Sequence, residues 1–184
     1  MCAALLTEAL SAARLVEPSG RLELHSTAFA DGGPIPERFT MYDRNISPEL
    51  HWKGVPGEAL ALALIVSDPD AIPVADKEWL HWAIVDIPPF VDRIPETAGA
   101  QTELPFNGRH LLNDFGDERY GGPKPPAGTG THHYVFAMYA LNTRSVPVRS
   151  GASLGEIRDA LRGAVIDQAV IVGTFGWSGS ASRT

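Results

Sequence analysis

The sequence predicts a mainly β fold: a largely antiparallel sheet or sandwich with one or two peripheral helices. Three observations lead there. Apolar runs too short for most helices, rich in β-branched or aromatic residues, recur at 59–67, 78–88, 131–142 and 167–177. The 184 residues include 15 prolines and 18 glycines, and they punctuate nearly every connection, which leaves little room for long helices. Beyond the N-terminal arm, a single segment combines helical periodicity with a start signal.

Taken in order, the N-terminal "MCAALLTEALSAARL" lacks a basic leader region and is interrupted by Glu8 and Arg14, so it reads poorly as a secretory signal. Leu6, Leu10 and Ala13 fall on one helical stripe. We read residues 1–18 as an arm, either a short amphipathic helix or a frayed tail, and 19–184 as a single domain. "RLELHSTAF" alternates Leu22 and Leu24 with charges and predicts a strand. The turn-rich stretch 30–58 predicts a long irregular connection with a short strand at 37–41. "ALALALIVS" predicts a buried strand ending at Asp68, and "EWLHWAIVDIP" a second central strand closed by Pro88-Pro89. "THHYVFAMYALN" and "DQAVIVGTFGW" predict two more. In "SLGEIRDALRGAV", Ser153 and Glu156 have capping-box spacing. Leu154, Ile157, Leu161 and Val165 share its apolar face, with Arg158, Asp159 and Arg162 outside.

Composition narrows function. The net charge of −7 gives no broad footprint for nucleic acid or anionic membrane, so any anion site must be local. One cysteine, Cys2, cannot form an internal disulfide. No apolar run is long enough to span a bilayer, and a cytoplasmic protein is the expectation.

Polar groups gather at predicted strand ends: Asp68 and Asp70 in "SDPDAIP", His81 in "WLHWAI", His132 and Tyr134 in "THHYVF". Alternation puts His132 and Tyr134 on one face and His133 on the other, and groups His81 with Trp79, Ala83 and Val85. His81, between two tryptophans, is either a core histidine satisfied by a backbone carbonyl or a site residue. Three chemistries could use the cluster. Two histidines and an aspartate suit zinc, but no local ligand spacing supports a metal. "GWSGS" has Ser180 where a nucleophile elbow needs glycine, with no room for the following helix, and Cys2 lies in the arm. An anion pocket fits better, because the Pro/Gly loop 121–130 can aim glycine amides at a bound group.

In order and spacing, "SPELHWKGVP", "SDPDA", "WLHWAIVDIP", "NDFG" and "YGGPKPPAGTGTHHYVFAMYAL" resemble the phosphatidylethanolamine-binding protein family, most of all its bacterial, Raf-kinase-inhibitor-like branch. The resemblance runs over 29–177, and it is the succession of motifs that carries it. It implies a large antiparallel sheet packed with a smaller one, peripheral helices, and a small pocket for phosphate-like anions. The pocket aspartate falls on Asp68, the strand histidine on His81, the loop-strand histidine and tyrosine on His132 and Tyr134, and the pocket wall on Pro125 and Pro126. With Asp70 these make up the expected ligand-binding set; no catalytic residue, metal or cofactor is implied. Four positions depart from the family pattern: Ile72 intervenes before Pro73 and leaves the shape of the turn after Asp70 open, His133 stands in place of arginine, Lys124 could add a cation at the rim, and Asp76 stands where animal members often carry a pocket aromatic. The expected function is a non-enzymatic module binding phosphate or a phosphoethanolamine-like anion. By the resemblance it would regulate a kinase or protease and form a homodimer. Two rivals stand beside it: a hydrolase or phosphotransfer enzyme using a His/Asp acid–base pair, and an interaction scaffold with a vestigial pocket.

Overall fold

The computed structural model describes residues 2–179, without the side chains of residues 2–5 and 9. Strands β1 (Glu23–His25), β2 (Leu50–Lys53) and β5 (Arg93–Ile94) form a small antiparallel sheet in the order β1-β2-β5. Strands β3 (Ala61–Asp68), β4 (Trp79–Ile87), β6 (Arg109–His110), β7 (Thr131–Leu141) and β8 (Val165–Gly176) form a larger one, antiparallel throughout, in the order β6-β4-β3-β7-β8. Helices α1 (Cys2–Ala13), α2 (Ile72–Ala75) and α3 (Leu154–Leu161) lie outside the sheets. The fold is therefore mainly β, with the two sheets packed together.

Every residue of β3 is buried, as its unbroken apolar run requires of a central strand. Alternation divides the strand between two cores. Leu62, Leu64 and Val66 point between the sheets, where they meet Leu50, Trp52, Trp82, Phe136 and Met138. Ala63 and Ile65 point the other way, toward Ala13 of α1 and Ile157 and Leu161 of α3. That second face is lined with alanines (61, 63, 83 and 137), and their small side chains let the helices approach the sheet. The arm is tied down as well: Tyr139 Oη donates to Ala13 O at 2.8 Å, and the Leu15 amide donates to Gln168 Oε1 at 2.7 Å.

The fold corrects several expectations. The stretch 37–41 holds a single 3-10 turn, Glu37–Phe39, entered from Pro36. β2 lies inside the stretch read as irregular; its Leu50 and Trp52 alternate inward with the sheet pleat. Ser153 and Glu156 do form the capping box. Arg158, expected outside, is buried and makes a bidentate pair with Glu78 at 2.7 and 2.9 Å.

The departure that matters most is in β4. Its pairing with β3 steps from Val66↔Trp82 to Ser67↔Leu80, so His81 is an extra residue with no partner of its own. This is a β-bulge, which re-aims side chains by breaking strict alternation. Beyond the bulge the two faces exchange, so Leu80 joins the helix-side core with Ala83 and Val85. His81 swings to the other face, beside Trp82 and against Tyr134, both of which belong to the inter-sheet core.

Candidate functional site

The bulge brings His81 to the end of the sheet where β3 finishes at Asp68 and β7 begins at Thr131. A cavity of about 230 Å³ opens there. Its polar end is Asp68, His81 and His132; Pro125, Pro126 and Lys124 line it from the loop. Ala71, Val74, Ala75, Trp79 and Phe115 complete an apolar wall.

Each wall has a local cause. After Asp68, a 3-10 turn at Pro69–Ala71 runs directly into α2, which ends at Asp76 in the left-handed region (φ 58°). Ile72 opens α2, and that turn carries Val74 and Ala75 to the cavity while Asp76 stays exposed. "NDFG" forms a tight loop around Asn113, whose Oδ1 accepts from the Phe115 and Asp117 amides at 2.9 and 3.1 Å. This holds Phe115 edge-on to His81. The two glycines of the "YGGP" motif run close to neighbouring chain. A Cβ on Gly122 would sit 2.1 Å from Phe39 O, and one on Gly121 would sit 2.5 Å from the Phe115 ring. Farther along, Tyr42 Oη donates to Pro125 O at 2.7 Å while its ring stacks on Trp177, which pins the loop wall.

His132 is fully buried, and its Nδ1–H donates to Asp68 Oδ2 at 2.7 Å. Its Nε2 lies 2.9 Å from Thr129 Oγ1, which also donates to Pro126 O at 2.8 Å. Both ring nitrogens of His132 are thus engaged, Nδ1 by Asp68 and Nε2 by Thr129. The second Asp68 oxygen, Oδ1, is buried without a hydrogen-bond partner among the described residues.

His81 has a different character. Its Nδ1–H donates to Gly121 O at 2.7 Å, and Gly121 N–H donates back to His81 O at 3.0 Å. Burial pushes its pKa below the ordinary histidine value, against the opposing pull of Asp68. The ring is therefore neutral around pH 7, and with the proton on Nδ1 its Nε2 carries a lone pair. Tyr134 stands behind His81 and does not line the cavity; their rings are 5.1 Å apart and edge-on. Burial and nearby Asp68 raise the Tyr134 hydroxyl far above its usual range, and it too has no partner among the described residues.

Asp70 is placed elsewhere. Its Oδ2 accepts from both the backbone N–H and the ring Nδ1 of His133, at 2.8 and 2.7 Å, and it does not line the cavity. The residues that the sequence reading missed are the apolar ones: Ala71, Val74, Ala75, Trp79 and Phe115. "NDFG" was the available signal for Phe115. Among the described residues, no group of three or more His, Cys, Asp or Glu side chains is placed to hold a metal ion. Ser180 of "GWSGS" and the Cys2 side chain lie outside the described residues.

Two packed antiparallel sheets with a cavity at one sheet end, lined by polar groups and an apolar wall, place the chain in the class of β-sandwiches with an end cavity. The sequence model of the phosphatidylethanolamine-binding protein family matches residues 25–176, and the chain belongs to that family. A UPF0098 protein of Methanothermobacter thermautotrophicus is 42% identical over 154 residues, covering 84% of this chain and 98% of the relative. LppC of Mycobacterium tuberculosis, which carries a lipoprotein name, is 39% identical over 168 residues, covering 91% and 77%. Among solved structures, E. coli YbcL, described as a new member of the mammalian PEBP family, superposes with a TM-score of 0.79 at 32% identity. It covers 86% of this chain and 99% of its own.

Proposed function

We propose that this chain is a non-enzymatic binding module whose cavity holds a small phosphate-type oxyanion, phosphoethanolamine included. One observation carries the reading: Asp68, His81 and His132, from three distant segments, converge on one cavity of about 230 Å³ with an apolar wall. A cluster of buried polar groups at the floor of a concave, mostly apolar site is the pattern of ligand recognition. Lys124 at the rim supplies a positive charge on a chain that is otherwise acidic. Regulation of a kinase or protease by occupancy, a homodimer and a cytoplasmic location belong to the same proposal. The lipoprotein name of the mycobacterial relative makes a membrane-anchored location the rival to the last of these.

The test is calorimetric titration of phosphoethanolamine into the wild type and His132→Ala. Binding that weakens about 10- to 100-fold in the variant supports the reading, as loss of a hydrogen bond to a charged group predicts. A wild type that takes up neither phosphoethanolamine nor phosphate overturns it. The hydrolase reading is favoured by one feature, the Asp68–His132–Thr129 chain with spacings of 2.7 and 2.9 Å, which has the order of an acid–base–hydroxyl relay. Hydrolysis of a p-nitrophenyl ester that is lost in Thr129→Ala would move the conclusion to that reading.

A further inference from the structure

The outward face of the small sheet carries side chains that the cavity does not use. Leu24 of β1 and Leu50 and Trp52 of β2 point into the inter-sheet core, so alternation turns Glu23, His25, His51 and Lys53 to the outside. Within this group His25 and His51 are direct cross-strand partners. Their rings face each other with centroids 5.5 Å apart and planes 26° from parallel. Both side chains are open to solvent, at 48% and 43% exposed.

Each ring is held at one nitrogen by its own carboxylate. His25 Nε2 lies 3.2 Å from Glu23 Oε2, and His51 Nδ1 lies 3.0 Å from Glu49 Oε1. The carboxylates are themselves fixed. Lys53 Nζ meets Glu23 Oε2 at 3.1 Å, and Glu49 Oε2 accepts from the Thr27 amide and hydroxyl at 3.1 and 3.0 Å. An ionised carboxylate only accepts, so in a neutral ring the nitrogen it holds is the one carrying hydrogen. His25 then offers a lone pair at Nδ1, and His51 one at Nε2. A carboxylate that fixes an imidazole through its N–H, with the second nitrogen left to ligate, is how proteins orient histidine toward a metal.

We propose that His25 and His51 form a surface site for a late first-row divalent cation such as zinc, bound through His25 Nδ1 and His51 Nε2. The site is separate from the cavity and does not depend on what the cavity holds. Imidazole nitrogen suits zinc, copper and nickel, whereas magnesium and calcium take oxygen ligands. The spacing fits as well. Two imidazoles sharing a tetrahedral zinc at about 2.0–2.1 Å per bond have ring centres roughly 5.2 Å apart, close to the 5.5 Å found here. Turning the rings about χ2, a broad torsion for histidine, aims both nitrogens at the ion. Glu23, Glu49 and the net charge of −7 favour a cation. Lys53 and Arg93 are the opposing charges, and each already has a carboxylate partner, in Glu23 and Asp92. Among the described residues no third His, Cys, Asp or Glu completes a ligand set. Water therefore fills the remaining positions, and the ion stays open to a ligand from another molecule.

The experiment uses zinc chloride and the full chain carrying Cys2→Ser, which removes the single thiol as a competing ligand. Calorimetric titration at about pH 7.5, where an ordinary imidazole is mostly neutral, should show uptake of zinc. His25→Gln and His51→Gln should each weaken it about 100-fold, because a two-point site becomes a one-point site. Glu49→Gln, which changes only the carboxylate behind His51, should weaken it about 10-fold. Ring-nitrogen NMR of the Cys2→Ser chain reads the same atoms without altering either histidine. His25 should be the Nε2–H tautomer and His51 the Nδ1–H tautomer, and zinc should shift His25 Nδ1 and His51 Nε2. Zinc held as tightly by the His25→Gln/His51→Gln double variant would overturn the proposal. So would zinc shifts confined to His81 and His132, which would move the ion to the cavity, or ring nitrogens that zinc leaves unmoved.

Discussion

Acid should destabilise this protein well above the carboxylate range, and His81 should be a principal cause. The folded protein holds His81 below its ordinary value through burial, whereas the unfolded chain titrates it at about 6.5. Below that pH the unfolded state therefore binds a proton that the folded state refuses. Stability contributed by the neutral ring is fully present above the unfolded value and is lost as pH falls through it. If the folded ring stays neutral to pH 5.5, the loss between about pH 7.5 and 5.5 is about 1.4 kcal/mol. His110 acts in the same direction. Burial also lowers its pKa, and its Nδ1 accepts from Trp82 Nε1 at 3.1 Å, a bond that protonation would destroy. The perturbation is His81→Asn, whose amide N–H can keep the bond to Gly121 O but cannot titrate. Loss of the ring contacts to Phe115 and Tyr134 should lower stability at every pH, and the slope carries the test. Urea unfolding at pH 7.5, 6.5 and 5.5 should show the wild type losing about 1.4 kcal/mol more than the variant across the range. At a denaturant slope of about 2 kcal/mol/M, that is about 0.7 M in midpoint. The lowered carboxylates Glu23, Asp117 and Glu156 act at lower pH, and they cancel between the two proteins. Parallel profiles for wild type and His81→Asn would refute the reasoning.

Two further outcomes follow from the geometry. Asp70→Asn should reduce stability by about 1.5–3 kcal/mol through its weakened clamp on His133, yet leave phosphoethanolamine affinity within about twofold, as calorimetry would show; a large loss of affinity would put Asp70 in the site. Glu78→Ala should cost about 3–5 kcal/mol in urea unfolding, because it strands Arg158, whose side chain is 9% exposed, without its partner; Arg158→Met should cost much less.

The long central strands and α3 could be read from the sequence because each follows a local rule: an unbroken apolar run for β3, alternation for β7, and a cap with helical period for α3. β2 was hidden because four alternating residues sit among turn formers, and its pairing with β1 and β5 is long-range information. Arg158 illustrates a related limit. Charge suggested an outward position, but Glu78, 80 residues away in sequence, makes its burial tolerable. The candidate site divides along the same line. The resemblance in motif order pointed to Asp68, His81, His132, Pro125 and Pro126, all of which line the cavity. It also pointed to Tyr134, which stands one layer behind, while the reading of polar groups at strand ends added Asp70, which is held by His133. Alternation alone would have placed His81 among the helix-side residues, because a bulge is a property of two strands and leaves no mark in one.

The two consecutive histidines and the two aspartates two positions apart turn out to be one arrangement. β7 presents His132 and His133 on opposite faces, while the chain turns after Asp68 into a 3-10 segment, so that Asp70 returns on the far side. Each aspartate then takes one histidine at 2.7 Å, Asp68 on the cavity side and Asp70 on the other. The side chains of the inner pair are nearly sealed, at 4% and 2% exposed, whereas His133 of the outer pair is 25% exposed. The outer pair also fixes backbone, since Asp70 accepts the His133 amide. It therefore anchors the start of β7 against the end of β3 and sets the distance across which the inner pair must meet. His81 joins that inner pair through the extra residue in β4, and it would face the helices if the bulge were absent. Clamp and cavity are thus built from the same short segments, with the outer pair holding the geometry and the inner pair lining the cavity.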